Sequence, residues 1–308
     1  MFRLQRIDQL PDDFDEYVAE IADGIARLYG GRAADAYRRA ARNALQATLD
    51  HASVTAWMAC DGDATAGLLL ATLRDRAGHI SFIHVLRRHE GRGVEHRLVE
   101  ESVRTLRELG AQAIVSECVA FCALDLDVTF RELGFAHIER ALMEAPLSTP
   151  GLAPASASSV AVDERRYAAL ASIIVDAYVD HPGRELHAEV RDYDAAYDFI
   201  QRVSDGHYGE SSPEYIRAAV RDGRIVGAIL GCEITPGHGF VLQVAVERSH
   251  QGHGIGAALV GDLARAFADT GLTNMVLGVT CDNPARRLYE RLGFKHIRPV
   301  SAYVWRRR

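Results

Sequence analysis

No stretch of this chain is apolar for long enough to cross a bilayer. The longest run, Ala66 to Leu73 with its glycine and threonine, falls far short of the roughly 20 residues that a helical span needs. Nor does an apolar segment of the kind an export signal requires follow Met1-Phe2-Arg3-Leu4-Gln5-Arg6-Ile7-Asp8, so a cytoplasmic protein is expected. Cysteine is scarce. The five present (Cys60, Cys118, Cys122, Cys232, Cys281) are an odd number scattered through apolar contexts, which speaks against a disulfide framework and for buried reduced thiols. There is no surplus of basic residues either: the formal net charge is −7, which argues against general nucleic-acid binding and means that an anionic ligand needs a local site. No carboxylates or thiolates cluster at ligand spacing, so no metal is expected.

What is present is a globular composition, 48% apolar and 25% charged, in 308 residues, a length that suggests two domains. Self-similarity supports the division. Val85-Leu86-Arg87-Arg88-His89-Glu90-Gly91-Arg92-Gly93-Val94 aligns with Val246-Glu247-Arg248-Ser249-His250-Gln251-Gly252-His253-Gly254-Ile255 at an offset of 161. Arg131-Glu132-Leu133-Gly134-Phe135 aligns with Glu290-Arg291-Leu292-Gly293-Phe294 at an offset of 159, and Asp61-Gly62 and Asp222-Gly223, 161 apart, read as hairpin turns. Between the copies a Pro-, Ala- and Ser-rich stretch has linker composition. The division is therefore 1–146, a linker over 147–159, and 160–308.

Each copy reads as helices first and strands after. Helices are expected over Glu16–Tyr29, Ala33–Leu49, Glu164–Ala177 and Tyr193–Val203. In the second copy, strands over Tyr215–Arg221, Ile225–Glu233 and Gly239–Val246 lead into a helix over Ile255–Asp269, whose Leu259, Val260, Leu263 and Phe267 recur at helical spacing. A strand over Asn274–Thr280 follows. Asn283-Pro284 then opens a short helix that stops at Gly293, and a last pair of strands covers Phe294–Ile297 and Ala302–Trp305.

The turn Gln251-Gly252-His253-Gly254-Ile255-Gly256 stands between a strand and a helix. Its glycines let backbone amides approach a ligand, and the helix N-terminus adds unpaired N–H donors, a combination suited to phosphate or pyrophosphate. Taken with Asn283-Pro284-Ala285-Arg286-Arg287-Leu288-Tyr289-Glu290-Arg291-Leu292-Gly293-Phe294, the turn resembles the two signatures of the GNAT acetyltransferase superfamily, with Gln251, Gly254 and Gly256 at the family's acetyl-CoA-binding positions. The resemblance covers about 160–305 well, and a degenerate copy covers about 1–145. It implies an α+β fold, a tandem duplication in which each half has a mostly antiparallel sheet flanked by helices, with two central parallel strands splayed to admit acetyl-CoA as co-substrate. Val244 and Val246 would bond the pantetheine arm, or be core valines, or both; Asn283 would touch the cofactor or merely cap its helix; His250 and His253 could reach phosphate.

The activity so implied is N-acetyl transfer to a primary amine of a small molecule or peptide, by direct attack in a ternary complex. A non-catalytic acyl-CoA sensor or assembly module is the alternative. Tyr289 falls where the family places its general acid. The base is less well marked, since Phe240 and Gly278 stand where relatives carry carboxylates; Glu233, His238 and Gln243 are the polar residues nearby, and Glu233 is the choice. Acidic residues from Asp180 to Asp198, Glu185 among them, could favour a cationic acceptor or simply be solvated. In the first copy Glu90 stands for Gln251, Glu95 for Gly256 and Phe130 for Tyr289, so that half is expected neither to bind acetyl-CoA well nor to catalyse. A monomer with an internal pseudo-dimer or a homodimer is expected, with no nucleic-acid or membrane partner.

Overall fold

The computed structural model describes residues 2–51, 53–74, 76–117, 124, 126–152, 159–181, 184 and 186–307. Cys118, Cys122, Glu185 and the linker's Ala153–Ser158 lie outside them. The chain forms two compact units, one of Met1–Glu139 with Val300–Arg308, the other of Arg140–Pro299. Among the described residues, no helix is long and apolar enough to cross a membrane.

The first unit contains β1 (Arg3–Ile7), α1 (Phe14–Tyr29), α2 (Gly31–Leu49), β2 (Val54–Asp61), β3 (Ala64–Arg74), β4 (Ala77–Val85), α3 (Val94–Glu108), β5 (Ala113–Ser116) and α4 (Asp127–Glu132). Its sheet runs β1-β2-β3-β4-β5 and then takes the latter part of β12 (Lys295–Arg306), which pairs antiparallel to β5 with Tyr303 opposite Ser116. The second unit takes most of β6 (Ala136–Pro146) and adds β7 (Ser159–Ala161), α5 (Tyr167–Ala177), α6 (Tyr193–Ser204), β8 (Ile216–Arg221), β9 (Arg224–Thr235), β10 (His238–Val246), α7 (Ile255–Asp269), β11 (Asn274–Thr280) and α8 (Ala285–Arg291). Its strands lie in the order β6-β11-β10-β9-β8-β7. Among the described residues, β4 with β5 and β10 with β11 pair in parallel.

Four expectations are corrected. The final pair of strands is one strand, β12, because Pro299 and Ser301 do not interrupt its extended backbone. β1 precedes the helices, its five residues paired with β2. The front of the expected linker is packed structure: the Leu147 amide donates to Thr273, and Leu152 is buried in the core under α7. Glu164–Arg166 forms a 3-10 turn before α5 begins at Tyr167.

Side chains along β9 alternate between two cores, as the two-residue period of a strand demands. Ile229 joins Leu259, Val260, Leu263 and Phe267 of α7, while Ala228 and Leu230 meet Leu170 and Ile174 of α5 and Phe199 and Ile200 of α6. Glycine lets α7 sit close to the sheet: a Cβ on Gly239 would lie 2.4 Å from the Phe267 ring. Gly239→Ala is therefore expected to destabilise the fold by about 1–3 kcal/mol, as overpacking does, read as a lowered midpoint in urea unfolding. The Asp222-Gly223 hairpin forms as its sequence requires, with φ of 48° and 76°.

The repeat is visible in small devices. Arg87 N–H donates to Glu20 of α1, and Arg248 N–H donates to Asp176 of α5, so an acid on the leading helix satisfies the amide after the central strand in both copies. Ser81 and Leu242, 161 apart, are both bulged.

Candidate functional site

β10 and β11 are hydrogen-bonded only from His238 opposite Asn274 to Val241 opposite Leu277. Leu242 then bulges, so that Val241 and Gln243 face the consecutive residues Gly231 and Leu230 of β9. A bulge bends its strand and sharpens the local twist. The two strands part beyond it, and a cavity of about 560 Å³ opens between them.

Glu247 N–H donates to Val226 of β9. Backbone groups of successive strand residues point opposite ways, so those of Val246 and Val244 face the gap. Neither edge is bare. Val244 N–H donates to Gln243 Oε1 at 3.0 Å, and the Val246 carbonyl accepts from Gln251 Nε2 at 3.0 Å. The Gln243 oxygen also accepts from the Tyr178 hydroxyl at 2.9 Å. A backbone amide can only donate, which fixes the orientation of the Gln243 carboxamide. Both valine side chains pack on the α7 core, so these residues have a structural job as well.

After β10, residues Arg248–His250 make a 3-10 turn, and Gly252 and Gly254 hold φ of 80° and 78°, in the left-handed region that favours glycine. α7 starts at Ile255, and its first N–H groups have no partner one turn back. Ile255, Gly256 and Ala257 line the cavity, presenting a helix N-terminus to it. Of the residues expected to meet a cofactor, His253 alone does not line the cavity; its ring lies 3.3 Å from the His250 carbonyl.

Tyr289, on α8, lines the same cavity, half-buried and edge-on to Phe294 at 5.8 Å. Burial pushes its phenol up to about 12. Asn283 does two things. Its Oδ1 accepts the Ala285 N–H at 2.8 Å, capping α8, and its Nδ2 lies 3.0 Å from His181 Nε2. Glu233 is elsewhere: it does not line the cavity, its backbone pairs with Glu210, and its Oε1 accepts the Gly237 N–H at 2.9 Å, bracing the turn between β9 and β10.

Arg140, Tyr178, His181 and His187 also line the cavity and were not foreseen. His187 Nδ1 is 2.9 Å from Glu189 Oε1, and the Tyr178 ring lies 4.5 Å from His181 and 5.6 Å from His187. Desolvation lowers the His181 pKa, with His187 nearby adding to the effect. Burial raises the Tyr178 phenol well above its ordinary value. The run Tyr178, His181, His187 just after an apolar helix was a readable signal. Arg140 gave none, because it reaches Gly278 across 138 residues of sequence. Among the described residues, no group of three or more His, Cys, Asp or Glu is placed to hold a metal.

In the first unit the backbone frame is kept. Parallel pairing ends at Ile80 opposite Ser116, and Gly91 and Gly93 hold φ of 70° and 75°. The side chains differ. Glu90 and Glu95 flank the turn, and Phe130 is fully buried, stacked on Tyr303 with centroids 4.3 Å apart.

Comparison with known proteins agrees with this geometry. The family model described as the acetyltransferase (GNAT) family matches residues 19–135 and again 168–294. Over 93 residues the chain is 36% identical to an uncharacterized N-acetyltransferase of Methanocaldococcus jannaschii, a stretch that spans 30% of this chain and 59% of that relative's length. Its fold resembles that of a GCN5-related N-acetyltransferase from Sphaerobacter thermophilus (TM-score 0.68, 20% identity, 99% of this chain and 95% of that one). It also resembles a tandem GNAT protein from the clavulanic acid biosynthesis pathway, solved without AcCoA (TM-score 0.62, 17% identity, 99% and 98%).

Proposed function

The chain belongs to the acetyltransferase (GNAT) family, and from that premise we propose that its second unit transfers an acetyl group from acetyl-CoA to a primary amine, with both substrates bound together. The observation that carries the reading is one cavity that joins a glycine-turned helix N-terminus, a strand edge held by side chains rather than by a neighbouring strand, and a protonated phenol. The residues fit the co-substrate. Amides at the start of α7 suit its diphosphate, and the edge groups of Val244 and Val246 suit the amides of its pantetheine arm. Gln243 and Gln251 keep those edge groups satisfied, and a pantetheine arm would take their place. Asn283, fixed by its capping bond, stands beside the same path.

Acetyl-CoA, when bound, supplies an activated carbonyl and a thiolate leaving group. The chain's residues do the rest. Edge amides of β10 offer donors to the carbonyl oxygen as it gains charge. Tyr289 holds a proton for the departing sulfur. His187, oriented by Glu189 in the way an imidazole is oriented by a carboxylate, takes a proton from the acceptor's ammonium and leaves the neutral amine to attack. It replaces Glu233 in this role because it lines the cavity and Glu233 does not. Glu90, Glu95 and the stacked Phe130 support a non-catalytic first unit.

Calorimetric titration of the full chain with acetyl-CoA, followed by thiol-release assays on an amine and peptide panel, tests the reading. One equivalent bound per chain and amine-dependent release are expected. Binding without release for any amine would instead favour a sensor, and two equivalents would restore the first unit as a site.

A further inference from the structure

On the face of the sheet that meets α5, two polar groups in the cavity wall are left without a hydrogen bond. Side chains along β11 alternate, with Met275, Leu277 and Val279 in the α7 core, so Thr280 falls on the opposite face. Gln243 falls there too. It stands opposite Leu230 of the α5 core, and its oxygen accepts from Tyr178, which caps the end of that helix. Both residues line the cavity, one from each of the parting strands, and they are only 3% and 4% exposed. Gln243 Nε2 and Thr280 Oγ1 are buried and unpaired. Buried polar groups are nearly always bonded in folded proteins, so two exceptions in one cavity wall call for a partner from outside the chain.

The carboxamide cannot turn over to relieve this. Its Oε1 already takes the Val244 N–H at 3.0 Å and the Tyr178 hydroxyl at 2.9 Å, and a flip would set its own N–H groups against an amide that can only donate. With a pantetheine arm on the Val244 N–H, the Tyr178 hydroxyl would still hold that oxygen. A pair of N–H donors is thus fixed in the wall, and a donor calls for a lone pair. The Tyr178 ring also lies 5.6 Å from that of His187, the base of the proposed reaction, so one side chain links the carboxamide to the place where the amine loses its proton. The lone pair belongs close to the reacting nitrogen.

We infer that the acceptor carries a hydrogen-bonding oxygen on the carbon next to the one that bears the amine, the carbonyl of an α-amino amide or the hydroxyl of a 1,2-amino alcohol, and that Gln243 Nε2 and Thr280 Oγ1 bind it. This deepens the acetyl-transfer reading and rests on it. A carbonyl oxygen has two lone pairs and accepts from both groups, whereas a hydroxyl accepts from Gln243 and exchanges a bond with Thr280 in either direction. An amine without the oxygen displaces water and leaves both groups unpaired. Sites built to bond a polar group reject such analogues for that reason.

The test uses the full chain with acetyl-CoA and amines matched in size: glycinamide against isobutylamine for the carbonyl, and ethanolamine against propylamine for the hydroxyl, with rates taken per unprotonated amine. At least one oxygen-bearing member is expected to exceed its partner by about 10- to 100-fold in kcat/KM. Gln243→Glu keeps an oxygen for Val244 and Tyr178 but turns the donor into a second acceptor, so it should bring that ratio below about threefold. Thr280→Val, which exchanges a hydroxyl for a methyl, should lower it by about three- to tenfold. Heat from the oxygen-bearing amine titrated into protein holding CoA should fall in both variants, while acetyl-CoA binding shows that they are folded. A ratio near one in the native chain, or one unmoved in either folded variant, overturns the inference and leaves acetyl transfer standing. Equal slowing of both members of a pair in Q243E would place the carboxamide on the thioester instead. Failure of every amine to release thiol overturns both readings.

Discussion

Glutamate in place of Gly256 is expected to weaken acetyl-CoA binding by about 5- to 900-fold. Gly256 is the second residue of α7, among the N–H groups that face the cavity. A Cβ there would lie 3.6 Å from Leu288 and 3.9 Å from Val246, ordinary contacts, so volume is not the obstacle. Charge is. A carboxylate about 4 Å from a phosphate charge costs about 1–4 kcal/mol at effective dielectrics between water and a protein surface, which converts to that range of affinities. The first unit carries this residue naturally as Glu95, on a turn whose glycines keep the same backbone angles. Gly256→Ala separates the two causes, since it adds volume without charge. Titration at rising salt should narrow the gap, because screening weakens the repulsion. If G256E binds acetyl-CoA as tightly as the native chain, the helix N-terminus is not where the diphosphate sits.

Removing the Tyr289 hydroxyl is expected to lower kcat by about 100- to 1,000-fold while leaving acetyl-CoA affinity nearly unchanged, the signature of a proton donor used only as the sulfur departs. Tyr289→Phe keeps the ring against Phe294, so the fold of α8 is spared. The direction of the pKa shift adds a second readout. Burial disfavours the phenolate, raising the pKa to about 12 from an ordinary value of 10.0, so the donor form persists above the pH at which an exposed tyrosine would lose its proton. Loss of rate through Tyr289 ionisation should therefore begin above pH 10. An unchanged kcat in Y289F, or a tyrosine-dependent fall in rate centred near 10, would remove Tyr289 from proton transfer.

Much of the fold was legible because it is written locally. α7 and β11 have the bounds that hydrophobic spacing and the flanking glycine and threonine suggest, and the Asp222-Gly223 turn follows from glycine chemistry. The glycine turn and the helix N-terminus after it were legible for the same reason, since one short segment holds every part of them. Roles that depend on distant pairing were not. Nothing near Arg140 in sequence says that it will cover Gly278, and nothing near Glu233 says that its carboxylate will be spent on the Gly237 amide. The emptiness at Gly278 was read as a missing base, whereas in three dimensions it is a seat for a cation. The single strand β12 was split in the reading because proline punctuates a sequence more strongly than it interrupts an extended backbone at this position.

The division of strands between the units bears on how the protein can be made. β5 obtains its outer neighbour from a segment roughly 190 residues further along, so during synthesis that flank of the first sheet stays open until nearly all of the second half has been translated. A gene cut between the halves would leave the N-terminal product with a raw, sticky flank and a stray strand of its own, a recipe for association rather than for two independent proteins. Duplication thus created two copies that evolution can no longer easily pull apart.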